Sequence, residues 1–392
     1  MQTKKSFFIK SSLVILLALF TSGCTIGMPT TGSKSKKTNA PAAYKGGLYV
    51  TDEYSVQANT LKWQKIADVY ATGGKVQTLD NAGIISYALD PNDDAAIYVG
   101  TDNQGMYYTY NYGKAWAQTF SEYGPVRAIA VSPDPATNKC TIYAGAKNYI
   151  YVSRDCARTW TAVYYEPRAN ISITALAIRK DNPKIVYAGT SEGNFIRSLD
   201  GGVTWDSIKR FNNKIVDIFV QNQTDSKIIY VSTQTNGIFR SPNGGENPNE
   251  WVDLMATPVD QTEVEEKEYK EFSKVPGSKN YLYLAVDKSV SDGLIYANTI
   301  GIYRLKFGDM WRQLKLIPPK KKEVITTAAV NPNNTDEVLY TSKGNTSGGI
   351  YRTFDGGVNW NITPLPNSGK PVWTVFSNDN KYFYLANYYV QK

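Results

Sequence analysis

The chain has 392 residues, enough for one large repeat domain or two ordinary domains, and its 29 tyrosines and 30 glycines favour β-structure. It contains no histidine, which excludes histidine-based catalytic triads, histidine-ligated zinc and histidine general bases. The formal net charge of +8 falls to +5 (8 − 3) without Lys4, Lys5 and Lys10 of the predicted leader, and the other basic residues alternate with acidic ones. Nucleic-acid binders usually cluster their positive charge, so no nucleic-acid partner is expected.

Residues 1–23 have the features of a lipoprotein signal peptide. Three lysines precede an apolar run, residues 13–20, that is too short to span a bilayer. The run leads into Thr21-Ser22-Gly23-Cys24, which resembles a bacterial lipobox and predicts lipidation of Cys24; ordinary secretion with a free cysteine is the alternative. Residues 24–45 are rich in Thr, Ser, Lys, Gly and Pro, which predicts a disordered tether. We therefore expect an extracytoplasmic protein of the bacterial cell envelope, held at the membrane by its lipid anchor.

Seven tryptophans recur at intervals of 44 to 60 residues and mark seven copies of one unit: Trp63, Trp116, Trp160, Trp205, Trp251, Trp311 and Trp360. The unit is predicted to hold four short strands, most clearly at Ile173–Ile178, Ile185–Gly189, Asn194–Ser198 and Thr204–Ile208. Four strands and a period in the forties are typical of propeller blades. Further first strands are predicted at Ile84–Leu89, Val126–Val131, Ile215–Val220, Tyr281–Val286, Ile325–Val330 and Val372–Phe376.

The chain both begins and ends in the middle of a unit. Gly47–Val50 and the segment at Trp63 resemble two outer strands, and Val372–Phe376 with Tyr382–Leu385 resemble two inner strands. Together they complete a seventh blade, and such a closure removes free sheet edges. The predicted fold is therefore all-β: a seven-bladed β-propeller over residues 46–392, closed by N- and C-terminal strands that share one blade.

Two cysteines flank a predicted hairpin. Cys140 precedes one strand and Cys156 follows the next, and the two positions are symmetric about the turn near Asn148. Antiparallel pairing of these strands would bring the cysteines together, and a disulfide across so short a loop is worth about 3 kcal/mol. Two unpaired structural cysteines are the alternative.

The stretch Ser198–Trp205 has the pattern Ser-x-Asp-x-Gly-x-Thr-Trp, which other units repeat less completely. Asp and Ser can bond the backbone amides of a tight turn, Gly tolerates positive φ, and Trp anchors the following strand. These residues resemble the BNR, or Asp-box, repeats of sialidase-like propellers, whose boxes lie between third and fourth strands, remote from the usual ligand face. The resemblance implies a structural role for Ser153, Asp155, Trp160, Ser198, Asp200, Gly202, Thr204, Trp205, Thr353, Asp355, Gly357 and Trp360.

Within this superfamily, the overall plan most resembles the photosystem II stability and assembly factor type, and it is also similar to xyloglucanase and sortilin-type propellers. The resemblance extends from about residue 46 to residue 392 and is specific for the fold. It implies a binding scaffold that is often lipid-anchored and has no known catalysis. No cofactor is expected.

The sequence offers little support for catalysis. It has no Arg-Ile-Pro motif, and arginines on the predicted ligand face are few (Arg127 and Arg168), which argues against sialidase chemistry. Glycoside hydrolysis of the xyloglucanase kind needs two carboxylates, and the loops of that face carry Asp102, Glu122, Glu166 and Glu192. Asp102 and Glu166 are weak catalytic candidates, and no metal site is predicted.

The same face is the predicted interaction surface. Two of its loops are unusual, an acidic insertion at residues 263–272 and a basic run at residues 320–322, and length added to a ligand-side loop often builds a partner surface. The candidate binding residues are Tyr123, Arg127, Tyr165, Glu166, Arg168 and Glu192. We expect a non-enzymatic scaffold that binds a protein partner. The alternative is an extracellular glycoside hydrolase or a glycan-binding module.

Overall fold

The computed structural model describes residues 44–52, 61–69, 77–121, 124–132, 140–168, 170–221, 227–256, 259–260, 281–287, 293–306, 311–314, 316, 323–344 and 347–390. The predicted signal peptide, Cys24, the tether up to residue 43, Glu122, Tyr123 and the two unusual loops lie outside these residues. Among the described residues there is no helix whose length and hydropathy would allow it to cross a membrane.

The described strands form seven sheets of four or five strands and one two-stranded ribbon. In chain order the strands are β1 (Tyr44–Thr51), β2 (Gln64–Lys65), β3 (Asp68–Val69), β4 (Gln77–Thr78), β5 (Ile84–Asp90), β6 (Asp93–Thr101), β7 (Met106–Thr109), β8 (Ala117–Thr119), β9 (Val126–Val131), β10 (Ile142–Ala146), β11 (Tyr149–Ser153), β12 (Thr161–Tyr165), β13 (Ile173–Ile178), β14 (Val186–Thr190), β15 (Asn194–Ser198), β16 (Asp206–Arg210), β17 (Ile215–Val220), β18 (Ile229–Thr233), β19 (Gly237–Ser241), β20 (Val252–Asp253), β21 (Val259–Asp260), β22 (Tyr281–Asp287), β23 (Gly293–Asn298), β24 (Ile302–Lys306), β25 (Trp311–Gln313), β26 (Val324–Asn331), β27 (Asn334–Lys343), β28 (Gly348–Thr353), β29 (Asn361–Thr363), β30 (Lys370–Phe376) and β31 (Phe383–Val390). Short 3-10 turns lie at Leu79–Asn81 and Leu254–Ala256.

Each sheet is one blade of a propeller. Blades 1 to 4 are β5–β8, β9–β12, β13–β16 and β17–β20, and blades 5 and 6 are β21–β25 and β26–β29. Blade 7 has the order β2-β1-β31-β30, and β3 pairs with β4 in the ribbon. The prediction of an all-β, seven-bladed propeller is confirmed.

The closure of the ring is also as predicted. β1 and β31 pair antiparallel over their whole length, from Tyr44 opposite Val390 to Thr51 opposite Phe383. β31 pairs on its other side with β30, so the C-terminus supplies the two inner strands of blade 7 and the N-terminus the two outer ones. β1 begins at Tyr44, two residues before the predicted domain boundary at residue 46.

The strand prediction was most accurate at the first strands. β9, β13 and β17 have the predicted bounds, because their apolar runs are continuous and end at clear turns. The fourth strand of blade 3 was predicted to begin at Thr204, but β16 begins at Asp206. The reason is that the N–H and hydroxyl of Thr204 donate to the Asp200 carboxylate, at 2.9 and 2.6 Å, and so hold Thr204 in the preceding turn.

One fully buried tyrosine lies in the second strand of every blade: Tyr98, Tyr143, Tyr187, Tyr230, Tyr296, Tyr340 and Tyr384. These rings fill the space between neighbouring blades, and a buried tyrosine hydroxyl normally needs a hydrogen-bond partner. Two of them find it in the turn of the next blade. Tyr143 donates to the Gly201 carbonyl at 3.0 Å, and Tyr187 donates to the Gly244 carbonyl at 3.2 Å.

An arginine reinforces each of these inter-blade contacts. Arg154 Nη2 donates to the Gly201 carbonyl and Arg197 Nη1 to the Gly244 carbonyl, both at 3.2 Å. We call the turn between the third and fourth strands of a blade its box turn. In blades 3 and 4 the box turn accepts hydrogen bonds from two donors of the blade before it, so it joins neighbouring blades as well as reversing the chain.

Inside the turn at Ser198–Trp205, side chains satisfy the backbone. The Ser198 hydroxyl accepts the Gly202 N–H at 2.8 Å and donates to Asp200 at 2.8 Å, while Trp205 Nε1 donates to the Gly202 carbonyl at 3.1 Å. The same bonds recur in blade 6, where Thr353, Asp355 and Gly357 take the corresponding places. The hydroxyl of Thr204, and then its backbone N–H, lower the pKa of Asp200 to about 2.

We expect Asp200 to remain ionised well below the pH at which ordinary aspartates titrate. Because its folded pKa is depressed, its stabilising contribution is present above the unfolded pKa of about 3.9 and is lost as the pH falls through about 2. Carboxyl chemical shifts followed by NMR between pH 5 and pH 2 measure this directly. Thr204→Val should raise the Asp200 pKa, whereas Thr161→Val, an exposed threonine outside any box, should leave it unchanged. Titration of Asp200 near pH 4 in the wild type would contradict the expectation.

Blade 2 forms the same turn without glycine. Cys156 and Ala157 have φ values of 60° and 65°, where blade 3 has Gly201 and Gly202 at 76° and 92°. The Ala157 N–H still donates to the Ser153 hydroxyl, at 2.9 Å. The sulfurs of Cys140 and Cys156 are 2.04 Å apart, as a disulfide bond, which ties this turn to the start of β10. The turn geometry therefore tolerates a small side chain near φ 60°.

Gly202 is less replaceable. Its φ of 92° lies beyond the range that an L-residue adopts readily, and an added Cβ would lie 3.3 Å from Val163 and 3.4 Å from Tyr143. Gly202→Ala is expected to lower the free energy of unfolding by at least about 1 kcal/mol in urea denaturation. Gly349→Ala is the matched control, because Gly349 lies in β28 outside the positive-φ region and an added Cβ there meets nothing closer than 3.4 Å. Equal losses for the two variants would show that backbone conformation is not the cause.

Candidate functional site

The antiparallel order of the strands gives the propeller two different faces. The upper face carries the loops that lead into each first strand and the turns between second and third strands; the lower face carries the box turns. Every functional candidate among the described residues lies on the upper face: Asp102, Arg127, Tyr165, Glu166, Arg168 and Glu192. The direction of the strands therefore places the candidate residues and the turns between third and fourth strands on opposite faces.

A β-bulge occurs at the same place in the first strand of all seven blades. Each bulge leaves one residue unpaired near the upper end of the strand, and bulges commonly redirect side chains at functional sites. The bulged residues are Ile85, Arg127, Thr174, Val216, Leu282, Thr326 and Val372. All except Thr326 line a central cavity of about 880 Å³ that follows the first strands. The repeat thus places equivalent positions of six blades around the upper mouth of this cavity.

Four charged side chains form a chain of ion pairs between blades 2 and 3. Arg168 makes two bonds to the Glu166 carboxylate, at 2.7 and 3.0 Å, and its Nη1 lies 3.6 Å from Glu192. Glu192 is also 3.3 Å from Arg210. Glu166 is buried, and Tyr164 donates to it at 3.3 Å. Three of the predicted candidates, Glu166, Arg168 and Glu192, are therefore brought together.

This geometry is unfavourable for acid catalysis by Glu166. The hydrogen bonds from Arg168 lower the pKa of Glu166, outweighing the opposing effect of burial. A general acid for glycoside hydrolysis needs a raised pKa and a proton to donate, whereas Glu166 has both oxygens bonded to a guanidinium. Glu166 is better suited to holding Arg168 in position.

The other candidates are arranged separately. Arg127 Nη2 lies 3.4 Å from Asp102, so the second weak catalytic candidate also faces an arginine. Tyr165 is 51% exposed, and its ring packs on Tyr149 with centroids 4.8 Å apart. Among the described residues, no three His, Cys, Asp or Glu side chains are grouped so as to hold a metal ion.

The sequence interpretation named Arg127 but missed the other ionisable residues of the cavity. Lys214 and Asp217 line it from β17 and the loop before it, and Tyr281 and Tyr283 line it from β22. One signal was available: Asp217 is a lone acid inside the apolar strand Ile215–Val220. Asp217 lies in the innermost strand of its blade and lines the central cavity. Its neighbours there come from other blades, so the sequence of its own strand does not reveal them.

These features define a β-propeller with one loop-rich face and a polar axial cavity. No family model matches the chain. A curated relative, the xyloglucanase Xgh74A of Acetivibrio thermocellus, is 26% identical over 150 residues, which are 37% of this chain and 15% of the relative. The chain therefore spans only a small part of the relative's length.

Solved structures share the fold at low identity. The GH74 xyloglucanase from Xanthomonas campestris has a TM-score of 0.61 at 14% identity, over 78% of this chain and 51% of that chain. YCF48 bound to a D1 peptide has a TM-score of 0.53 at 14% identity, over 79% of this chain and 93% of that chain. Two of the kinds of propeller that the sequence resembles, xyloglucanases and a photosystem II assembly factor, are thus among its structural neighbours. At these identities the likeness shows the fold alone.

Proposed function

We propose that the protein is a non-enzymatic scaffold whose upper face binds a protein partner. The observation that carries this proposal is the state of the two candidate catalytic carboxylates, which face arginines: Glu166 is bonded to Arg168 and Asp102 lies beside Arg127. Buried Glu166 holds the partly exposed Arg168 in position, and Arg127 and Asp102 lie at the surface as a pair, so the exposed charges form a fixed pattern for docking. Beside them, Tyr165 offers an exposed ring supported by Tyr149, and such rigid aromatic side chains are common anchors of protein interfaces.

A structural neighbour agrees with the same proposal. The chain covers 93% of YCF48, whose structure contains a bound D1 peptide.

The lipid anchor predicted at Cys24 is part of the proposal: a membrane-attached tether would display the ring on the extracytoplasmic side. Metabolic labelling with a radioactive fatty acid tests this attachment. Label should enter the wild-type protein and be absent from Cys24→Ala, while membrane-free Cys24→Ala still folds as a propeller by circular dichroism. Equal labelling of both proteins would refute the anchor at this residue.

The docking face is tested by crosslinking and affinity capture from native membranes. Tyr165→Ala should reduce recovery of the partner at least tenfold, because it removes the exposed aromatic anchor. Tyr110→Ala is the matched control, since Tyr110 is similarly exposed (41%) but lies in a turn of the lower face. Recovery that is unaffected by Tyr165→Ala, or equally reduced by Tyr110→Ala, would contradict a docking face at Tyr165.

A glycan-directed function is the second candidate. It is favoured by the exposed Tyr165 ring, since aromatic faces commonly stack on sugars, and by the curated xyloglucanase relative. A glycan array and a reducing-sugar release assay test it with wild type, Tyr165→Ala and Glu166→Gln. Glycan binding without a protein partner would replace the scaffold proposal. Sugar release abolished by Glu166→Gln would show that the protein is an enzyme.

A further inference from the structure

The axial cavity contains an acidic group surrounded by tyrosines. Asp217 lies in the third position of β17, and Tyr281 donates to its Oδ2 at 2.6 Å from the neighbouring blade. Tyr87 and Tyr283 also line the cavity, from blades 1 and 5. Burial raises the pKa of both hydroxyls, that of Tyr283 to about 12, and the negative charge of Asp217 raises them further. All three tyrosines line the same cavity as the carboxylate.

This carboxylate lacks a compensating cation among the described residues. Burial raises the pKa of the Asp217 carboxyl. The hydrogen bonds that it accepts from the Tyr281 hydroxyl and the Ile218 N–H oppose this rise. Its side chain is nevertheless only half-buried, because it borders the open cavity. Withdrawing an ionised carboxylate from water is costly unless a positive group approaches it. Tyrosine ring faces attract such groups as well.

The upper end of the same cavity has the opposite charge. Arg127 and Lys214 both line it there. Burial lowers the pKa of Lys214, and the neighbouring positive charge of Arg127 lowers it further. Two cations held close together at a cavity mouth favour an anion between them. Asp102, 3.4 Å from Arg127, offsets only part of this charge.

The two charged regions occupy different parts of the same cavity. Arg127 and Lys214 line a smaller pocket at its upper end that Asp217 does not line, whereas all three residues line the larger cavity. The cavity volume of about 880 Å³ is within the range of small-molecule sites. We propose that the axial cavity binds an ω-amino carboxylate, with the carboxylate held by Lys214 and Arg127 and the ammonium held by Asp217 among Tyr87, Tyr281 and Tyr283.

This inference does not rest on the proposed function, since the cavity and the docking face use different side chains apart from Arg127. Calorimetric titration of the full chain with 6-aminohexanoate, hexanoate and hexylamine tests it. The zwitterion should bind at least tenfold more tightly than either singly charged analogue. Equal affinity for all three, or no binding of the zwitterion, overturns the proposal, and this comparison needs no variant.

Two substitutions separate the two ends of the ligand. Asp217→Asn should remove the preference for 6-aminohexanoate over hexanoate, and Lys214→Met should remove the preference over hexylamine. The matched controls are Asp206→Asn and Lys184→Met, which change exposed residues outside the cavity and should preserve both preferences. Preferences that survive the cavity variants overturn the assignment of Asp217 and Lys214.

The same chemistry occurs in free ω-amino acids and in a C-terminal lysine, which carries a carboxylate and an alkylammonium together. The tripeptide Gly-Gly-Lys distinguishes these sources. Binding as tight as that of 6-aminohexanoate supports the site with a polypeptide terminus as its ligand. Binding of 6-aminohexanoate with exclusion of the tripeptide supports the site with a free small molecule.

Discussion

Glu337→Ala is expected to lower the free energy of unfolding by about 3–5 kcal/mol. Glu337 of β27 and Arg352 of β28 are only 7% and 6% exposed, and one Glu337 oxygen accepts two bonds from Arg352, at 3.0 and 2.5 Å. The other oxygen accepts a bond from Asn331 at 2.6 Å. Removing the carboxylate leaves the buried guanidinium without this counter-ion, and no rearrangement in a packed blade restores its lost hydration.

Urea denaturation followed by tryptophan fluorescence measures this loss. Glu192→Ala is the matched control, because it removes a carboxylate from an exposed ion pair with Arg210, which is worth at most about 1 kcal/mol. Replacing both buried partners, Glu337→Leu with Arg352→Met, should recover much of the stability, since neither charge is then buried alone. A loss below about 1 kcal/mol for Glu337→Ala would show that the pair is solvated in solution.

Ala386→Pro is expected to cost about 3 kcal/mol or more and to broaden the unfolding transition. Ala386 lies in β31, opposite Leu48 of β1 on one side and Trp373 of β30 on the other, and it is completely buried. Proline cannot donate a ladder hydrogen bond, and its ring does not fit between two paired strands. Because β31 joins the two ends of the chain, its disruption exposes strand edges in blade 7.

Scanning calorimetry and size-exclusion chromatography test the closure. Asp206→Pro is the matched control, since Asp206 is the exposed first residue of the outermost strand β16, where proline is tolerated. Ala386→Pro should melt much earlier than Asp206→Pro and should form larger species through its unpaired edges. If both variants melt alike, the closing strand is not critical to the stability of the ring.

The propeller was predictable because the sequence pattern that specifies one blade is short and recurs along the chain. Each blade needs a small apolar first strand, a tyrosine-bearing second strand and a box turn, and the recurrence of Trp116, Trp160 and Trp205 shows that period in a single sequence. The closure was predictable because the repeat region has two outer strands at its N-terminal end and two inner strands at its C-terminal end, which together make one blade. Turn residues shifted strand bounds only slightly, as at Thr204.

The candidate site was predictable only as a face. Strand direction places Glu166, Arg168 and Glu192 at the same end of their blades, but their ion pairs depend on the spacing of blades 2 and 3. Tyr123 and the acidic and basic loops lie outside the described residues, so their part in the interaction surface stays a prediction. Arg210 also belongs to the site because it pairs with Glu192, and no sequence motif indicates this contact.

The sequence by itself determined the fold class, the number of blades and the position of the box turns, because each follows from residues close together in the chain. It also determined the closing strands, because the two half-units at the ends of the repeat region complement each other. Tertiary structure alone decided that Tyr143 and Tyr187 bind the box turns of the next blades. It also decided that Lys214 and Asp217 share one cavity with tyrosines from other blades. These contacts join residues far apart in sequence, and their strength depends on burial and on the distance between charges, which exist only once the ring has closed.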